Sequence, residues 1–237
     1  MSVPVTDIHM HVVPGVDDGS RSVEESCEML RLAVGQGVET VFATPHDAAF
    51  SDKNSVRTRF RQLREAVREQ EIPVALRLGC EMRIYPETAE TCLQRLNEGA
   101  LPTMGGSRCV LTEFDFDNSR QEYLFCADTL IRGGYTPIIA HIERYPNTDL
   151  RLAEALKEAG ALIQINAYSI ADERDPQIRQ LANLLLAERL VDFLGTDAHR
   201  TDHRPPMLAG GMDAFRRLYG EEYAALVAFD NPRKYLP

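Results

Sequence analysis

The chain has 237 residues, of which 36 are acidic and 26 basic, and its formal net charge is −10. Nucleic-acid-binding proteins usually present a basic surface, so this charge argues against nucleic acid as a partner. The apolar runs are too short to span a bilayer, and the residues before Thr6 are too few and uncharged for a signal peptide. We therefore expect a globular, cytoplasmic protein with no membrane insertion.

Strand-like apolar runs alternate with amphipathic helices along the chain. The predicted strands cover residues 3–9, 39–44, 74–79, 108–114, 136–140, 161–166 and 191–195. The predicted helices cover residues 22–35, 55–70, 86–97, 120–132, 150–159, 175–189 and 214–228. Strands that alternate with helices in this way favour a parallel sheet covered on both faces. About seven such units indicate a closed or nearly closed barrel, with a doubly wound open sheet as the alternative.

The cysteines are odd in number and form no C-x-x-C pair, which is typical of reduced thiols in a cytosolic protein. Cys126 and Arg132 match the C-x5-R spacing of cysteine-dependent phosphatases. That chemistry requires a strand–loop–helix cradle, whereas Cys126 lies inside a predicted helix with no glycine before Arg132. We interpret the match as coincidental.

The first predicted strand ends in a histidine pair, His9 and His11, and a carboxylate pair, Asp17 and Asp18, follows it. Residues at i and i+2 point to the same side of a strand, so both imidazoles can reach one metal ion. Taken alone, such a pair is equally consistent with a strand that happens to carry two histidines.

Further ligand-type residues lie at or just beyond the ends of other predicted strands. The complete set is His9, His11, Asp18, His46, Glu81, Glu113, His141, Asp197 and His199. The carboxyl ends of parallel barrel strands open on one face, so these side chains converge. Unpaired carboxylates at close quarters repel one another and raise each other's pKa, and bound cations remove that cost.

Some of these residues have ordinary explanations when they are taken singly. Glu113 could be a polar strand end, and Asp197 could be a helix cap. His203 lies in a Pro-rich loop, where we expect it to be exposed, and we leave it out of the metal set. Oxygen and imidazole ligands without thiolate fit manganese, iron or zinc alike.

Six motifs together resemble the PHP (polymerase and histidinol phosphatase) superfamily: HMHVVPGVDDG, ATPH, GCE, LTEF, AHIERYP and GTDAH. Within it, the chain is most similar to the bacterial manganese-dependent tyrosine-protein phosphatases of capsule and exopolysaccharide loci. The resemblance runs from Asp7 to Lys234. It implies a single domain over residues 1–237 with a distorted (β/α)7 barrel and three divalent metal ions, manganese before iron or zinc.

The resemblance also implies a role for each candidate residue. The first ion would be held by His9, His11, Glu81 and Asp197, and the second by the bridging Glu81 with Glu113 and His141. The third would be held by Asp18, His46 and His199, with Asp17 as the less favoured carboxylate. Arg144 and Arg204 would bind the phosphoryl oxygens.

The implied reaction is hydrolysis of phosphotyrosine by a metal-activated hydroxide, and the implied partner is the tyrosine-rich tail of a bacterial tyrosine kinase. Aromatic side chains near the predicted site could stack on the substrate ring: Phe50, Phe114, Phe116, Tyr145 and Tyr168. They could equally be packing residues at the barrel mouth. The alternatives are a small-molecule phosphatase of the histidinol phosphate type, a nuclease, and a non-catalytic metal-binding module.

Overall fold

A computed structural model describes residues 4–172 and 174–236 of the chain, and these residues form an α/β fold. The strands are β1 (Val5–Met10), β2 (Val38–Ala43), β3 (Ala75–Leu78), β4 (Glu81–Ile84), β5 (Cys109–Phe114), β6 (Thr136–Ile139), β7 (Leu162–Asn166) and β8 (Phe193–Gly195). The helices are α1 (Val23–Val34), α2 (Lys53–Glu69), α3 (Ala89–Asn97), α4 (Arg120–Arg132), α5 (Leu150–Ala159), α6 (Pro176–Ala187), α7 (Ala209–Tyr219), α8 (Glu221–Ala225) and α9 (Asn231–Tyr235).

The strands form two parallel sheets, one in the order β1-β2-β3 and the other in the order β4-β5-β6-β7-β8. The sheets approach each other at both ends. Met10, the last residue of β1, forms a parallel bridge with Ala198 beyond β8, and the His11 amide donates to the Ala198 carbonyl at 2.8 Å. A second parallel bridge joins His46, beyond β2, to Glu81 at the start of β4. The predicted parallel α/β architecture is therefore confirmed.

Apolar side chains from strands of both sheets meet in one buried cluster. Its strand members include Ile8, Phe42, Leu111, Ile138, Leu162 and Phe193. A second, larger cluster lies between the strands and the helices. Strands with both faces covered have near-continuous apolar sequences, which is why the strands were recognisable from composition alone.

Two helix starts follow from local sequence. The Ser22 side chain accepts from the Glu25 amide and begins α1, as the capping pattern predicts. The Glu25 carboxylate bonds Arg21 instead of closing the reciprocal half of that box. At the start of α4, Ser119 and Glu122 form the complete capping box, and α4 has the predicted bounds.

Two predicted elements are wrong in detail. The single strand predicted at 74–79 is β3, and a further strand, β4, follows it after Gly79 and Cys80 and belongs to the other sheet. The helix predicted at 214–228 is interrupted at Gly220, which has a φ of 93° and separates α7 from α8. A positive φ suits glycine and ends a helix, so Gly220 was the feature of the sequence from which this break could have been predicted.

No helix in the described part of the chain combines the length and apolar character needed to cross a membrane.

The packing of α7 yields a test of the fold. A Cβ on Gly211 would lie 1.9 Å from the Ala167 carbonyl oxygen, whereas a Cβ on the neighbouring Gly210 would meet nothing within 4 Å. We expect Gly211→Ala to lower the free energy of unfolding by about 1–3 kcal/mol, because backbone must shift to relieve the overlap. The matched control Gly210→Ala should raise it by about 0.5–1 kcal/mol. Urea unfolding measures both, and similar stabilities for the two variants would contradict this packing.

Candidate metal centre

Eight of the nine ligand-type residues predicted from sequence lie at or beyond the carboxyl end of a strand, and Glu81 begins β4 just after β3. His9 is in β1, and His11 follows that strand directly. His46, His141 and His199 lie in the loops after β2, β6 and β8. Most of the set is buried, whereas Asp18 is exposed and His46 partly so. The cluster is therefore enclosed on the protein side and open towards Asp18.

The Glu81 carboxylate is at the centre of this cluster. Its Oε1 lies 3.0 Å from His141 Nε2 and 3.3 Å from His9 Nε2. Its Oε2 lies 3.2 Å from His11 Nε2 and 3.1 Å from His46 Nδ1. One carboxylate thus contacts four imidazoles, each oxygen serving two of them.

Candidate ligand atoms fall into overlapping groups whose members lie within 4.8 Å of one another. These groups are His11 with Asp18, His46 and His199; His9 with Glu81 and His141; His9 with His11 and Asp197; and His46 with Glu81 and Glu113. Glu113 also approaches His141, with 3.7 Å between its Oε1 and Nε2. Each group contains the oxygen and nitrogen donors that a divalent cation prefers.

The two adjacent carboxylates after β1 differ in their contacts. Asp18 Oδ1 lies 3.4 Å from His46 Nε2 and 3.5 Å from His199 Nε2. Asp17 Oδ2 instead accepts from His11 Nδ1 at 2.9 Å and from the His46 amide at 3.1 Å. The geometry favours Asp18 as the ligand and gives Asp17 the task of orienting His11.

The ring nitrogens that face away from the cluster test whether these histidines suit a metal ion. Nδ1 of His9 lies 3.2 Å from Gln164 Oε1, and Nδ1 of His199 lies 3.0 Å from the Asp197 carbonyl oxygen. Together with the bond between His11 and Asp17, these acceptors hold a proton on Nδ1 and direct the Nε2 lone pair inward. Metal-binding histidines are held in this way, so the donor set fits divalent cations.

The charges inside the cluster are unbalanced in a way that cations would relieve. Burial opposes ionisation of Glu81, but the charge of His9 and hydrogen bonds from His11 and His141 lower its pKa well below the usual range. Burial and then the neighbouring Glu81 charge raise the pKa of Glu113 to about 7. Burial, His11 and Arg204 lower the pKa of His199 to about 3, so this imidazole is neutral near pH 7. Neutral imidazole and ionised carboxylate are the ligand forms of these groups.

The two candidate phosphate-binding arginines meet at one oxygen. Arg144 Nη1 lies 2.9 Å from Asp197 Oδ2, and Arg204 Nη2 bonds the same atom. The other oxygen of Asp197, Oδ1, lies 3.5 Å from His9 Nε2 and 3.6 Å from His11 Nε2. Both guanidinium groups border the cluster, and the Arg144 and Arg204 side chains are 25% and 30% exposed, so they can reach an anion that arrives from solvent.

Sequence reasoning missed several residues that support this centre. Gln164 accepts from the His141 amide at 2.9 Å as well as from His9, and Asn166 donates to Asp197 Oδ2 at 3.3 Å. Glu143 accepts from the Asn166 amide and from Ser169 Oγ, and so fixes the turn that carries Arg144. The sequence did contain a signal for two of them, because Gln164 and Asn166 are polar residues at i and i+2 in an otherwise apolar strand.

The five aromatic side chains divide between the two alternatives, packing and stacking on a substrate. Phe50, Phe114 and Tyr145 are buried, and Tyr145 Oη accepts from the Phe114 amide at 3.1 Å, so these rings pack the protein interior. Phe116 and Tyr168 are partly exposed. The Arg144 guanidinium lies 5.5 Å from the centre of the Phe116 ring, which places that ring beside the centre.

The structure agrees with the exclusion of Cys126 and His203 from the site. Cys126 is buried inside α4, and burial raises the pKa of its thiol to about 12. A thiol of that kind is not a nucleophile near neutral pH. His203 is exposed and contributes to none of the ligand groups found in the described chain.

Parallel strands that carry histidines and carboxylates at their carboxyl ends define an α/β protein of the metal-dependent hydrolase class. Residues 5–237 match the family described as capsular polysaccharide synthesis, CpsB/CapC, and the chain belongs to this family. It is 32% identical to the tyrosine-protein phosphatase CpsB of Streptococcus pneumoniae over 97% of each chain. It is 35% identical to the tyrosine-protein phosphatase YwqE of Bacillus subtilis, over 84% of this chain and 78% of the relative.

The fold agrees with that relationship. A structure solved in a study of YwqE and CpsB, which are described there as metal-dependent tyrosine phosphatases, superposes with a TM-score of 0.85. The match covers 98% of this chain and 94% of the other, at 30% identity.

The central position of Glu81 leads to a prediction about metal content. Glu81→Ala removes the carboxylate shared by four imidazoles, so we expect it to lower the bound metal per chain more than His46→Ala does, because His46 lies at the open side. Mass spectrometry of metals in both purified variants measures this, with circular dichroism as the control for folding. Equal metal content in Glu81→Ala and the parent protein would rule out a bridging role.

Proposed function

We propose that this protein is a metal-dependent protein-tyrosine phosphatase that hydrolyses phosphotyrosine in a protein substrate. The observation that carries the proposal is the convergence of Arg144 and Arg204 beside the cluster of imidazoles and carboxylates. Bound cations and two arginines at the same opening repel one another unless an anion lies between them. A phosphate monoester, with about two negative charges near neutral pH, is such an anion.

Three divalent ions, manganese before iron or zinc, would be held by the residues at the carboxyl edge. The first would lie among His9, His11, Glu81 and Asp197; the second among Glu81, Glu113 and His141; and the third among Asp18, His46 and His199. When bound, such ions neutralise phosphoryl oxygens and lower the pKa of water so that hydroxide forms at neutral pH.

The protein's own groups bind and orient the ester. Arg144 and Arg204 each present a planar fork that matches phosphoryl oxygens bidentately, and both stay charged throughout. Asp197 holds the two forks in register before substrate arrives. A phenol has a pKa near 10, so tyrosinate leaves more readily than a serine alkoxide would. The chemistry requires no protein nucleophile, which agrees with the inert Cys126.

The finer architecture and cellular setting are part of the same proposal. We infer a distorted (β/α)7 barrel in a single domain over residues 1–237, in which β3 and β4 together take the place of one strand. The contacts that join the two sheets at both ends support this closure. We also infer a cytoplasmic enzyme whose substrate is the tyrosine-rich tail of a bacterial tyrosine kinase. The family description, capsular polysaccharide synthesis, and the relatives' name, tyrosine-protein phosphatase, support the setting in polysaccharide synthesis and the substrate class.

Metal dependence and substrate class are tested together by a panel of phosphorylated compounds with defined added metals. We expect chelation to abolish turnover and manganese to restore it, with phosphotyrosine peptides cleaved far faster than phosphoserine peptides. The control Cys126→Ser should keep most of the activity, because a buried thiol with a raised pKa takes no part. Preference for histidinol phosphate would instead support the small-molecule phosphatase, and the absence of turnover on every ester would support the non-catalytic module.

The arginines give the sharpest test of the catalytic arrangement. We expect Arg144→Ala and Arg204→Ala to retain fold and metal content while each slows turnover roughly 30- to 1000-fold, or about 2–4 kcal/mol of transition-state stabilisation. Lysine should restore only part, because it cannot form the bidentate fork. Steady-state kinetics on a phosphotyrosine peptide measures the loss. Near-parent turnover in both alanine variants would reduce the two arginines to structural partners of Asp197.

A further inference from the structure

A cavity in the described part of the chain lies beside Arg144, which also borders the metal centre. It measures about 850 Å³ and lies between α5 and α6. We call it the α5–α6 groove, and its walls include Arg144, Pro146, Leu150, Ile178, Leu181 and Leu184. Ligand sites typically measure about 300–1,000 Å³, so the groove has room for several amino-acid side chains. A phosphoryl group held at the metal centre would leave it empty.

The groove wall on α6 is apolar, although it faces solvent. Ile178, Leu181 and Leu184 follow one another at three-residue spacing, so they lie along one side of the helix. The core-facing side of α6 is formed by other residues, Leu185 and Leu186 among them. Leu184 is 42% exposed. Apolar surface of this kind, lining a cavity beside a functional site, indicates a contact surface for a ligand.

Polar groups lie at the rim of the same groove. Gln177, Gln180 and Arg151 belong to its lining, and all three are exposed. Glutamine can both donate to and accept from a peptide group, and arginine can donate to a peptide carbonyl. An apolar wall with a polar rim suits an extended polypeptide, which buries a side chain and keeps its backbone hydrogen-bonded.

We propose that the α5–α6 groove binds the polypeptide that flanks the phosphotyrosine and selects an apolar side chain in it. This proposal rests on the proposed phosphatase function, because Arg144 belongs both to the groove and to the phosphate-binding pair. The stretch from Ile178 to Leu184 is about 9 Å long, which an extended chain covers with about three residues. The apolar side chain therefore belongs to a short segment beside the phosphotyrosine, because Arg144 lines the groove and also contacts Asp197 at the metal centre. The substrate is an unfolded protein segment, not a small ester.

Two phosphotyrosine peptides that differ only in having leucine or serine at the flanking positions test the groove. The parent protein should prefer the leucine peptides by about tenfold in kcat/KM, with the difference in KM, since burying one leucine side chain is worth about that factor. Leu184→Gln should reduce the preference to near one. The matched control Leu218→Gln, on α7 and 55% exposed in the parent, should keep the preference.

The same peptides with a non-hydrolysable phosphonate in place of the phosphate separate this proposal from the phosphatase function. Fluorescence anisotropy with the manganese-loaded protein should show tighter binding of the leucine version, and Leu184→Gln should remove the difference. Leucine-dependent binding without turnover of any phosphotyrosine peptide would support the groove and overturn the phosphatase. Turnover with equal KM and equal binding for both peptides would overturn the groove alone, as would equal losses in Leu184→Gln and Leu218→Gln.

Discussion

The contact on which the centre depends is the one between the Glu81 carboxylate and four surrounding imidazoles. Glu81 is buried, with 1% of its side chain exposed, so water cannot compensate its charge. The imidazoles keep it ionised and hold its pKa low, and the second carboxylate, Glu113, then becomes harder to ionise. Burial disfavours charged imidazoles, but the Glu81 carboxylate raises the pKa of His9, His11 and His46, so these three hold protons where cations could bind instead. Divalent ions let both carboxylates ionise at once, which makes the cluster costly to bury without them.

Asp197 divides the site into two halves of opposite chemistry. One of its oxygens faces His9 and His11, and the other accepts from Arg144 and Arg204. The proposed ligand half and the proposed phosphate-binding half are thereby fixed relative to each other by one side chain. The side-chain amide of Asn166 donates to Asp197 Oδ2, the oxygen that also accepts from the arginines. Strand β7 therefore supports the arrangement although it supplies no candidate ligand.

Backbone strain is concentrated in the same place. His141, Asp197 and Arg204 have φ values of 32°, 52° and 57°, although none is glycine. Such conformations cost on the order of 1–3 kcal/mol each and persist where surrounding structure enforces them. The other positive-φ residues outside glycine in the described chain, Glu71 and Arg189, follow the ends of α2 and α6, where a left-handed residue commonly ends a helix. The strain without a helix-ending explanation thus falls on two proposed metal ligands and on Arg204, a proposed phosphate-binding residue.

The ligand-type residues at strand ends could be predicted from the sequence. Features that depend on three-dimensional neighbours could not. Ligand-type residues such as His46 and Glu113 were recognisable because parallel strands bring their carboxyl ends to one face. The separation of β3 from β4 was not, because Gly79 and Cys80 give no clear turn signal and only the pairing of each strand with its own sheet defines the break. The supporting roles of Asp17 and Gln164 also require three-dimensional neighbours, since Gln164 reaches His9 across 155 positions of sequence. Phe114 is buried and Phe116 is partly exposed, and no local sequence pattern predicts this difference in burial.

The turn after β6 is the part of the molecule where chemistry and substrate choice meet. The candidate ligands would hold ions that neutralise a phosphoryl group whatever chain carries it, so discrimination between substrates has to come from groups farther out. The turn supplies His141 to the cluster, and Arg144 to Asp197 and to the face of Phe116. Glu143 anchors it to β7, and the residues that follow it line the α5–α6 groove. Because a single anchored turn carries all of these groups, a substrate segment seated in the groove is held at a fixed distance from the reacting phosphorus, which is the condition for rapid chemistry on a flexible chain.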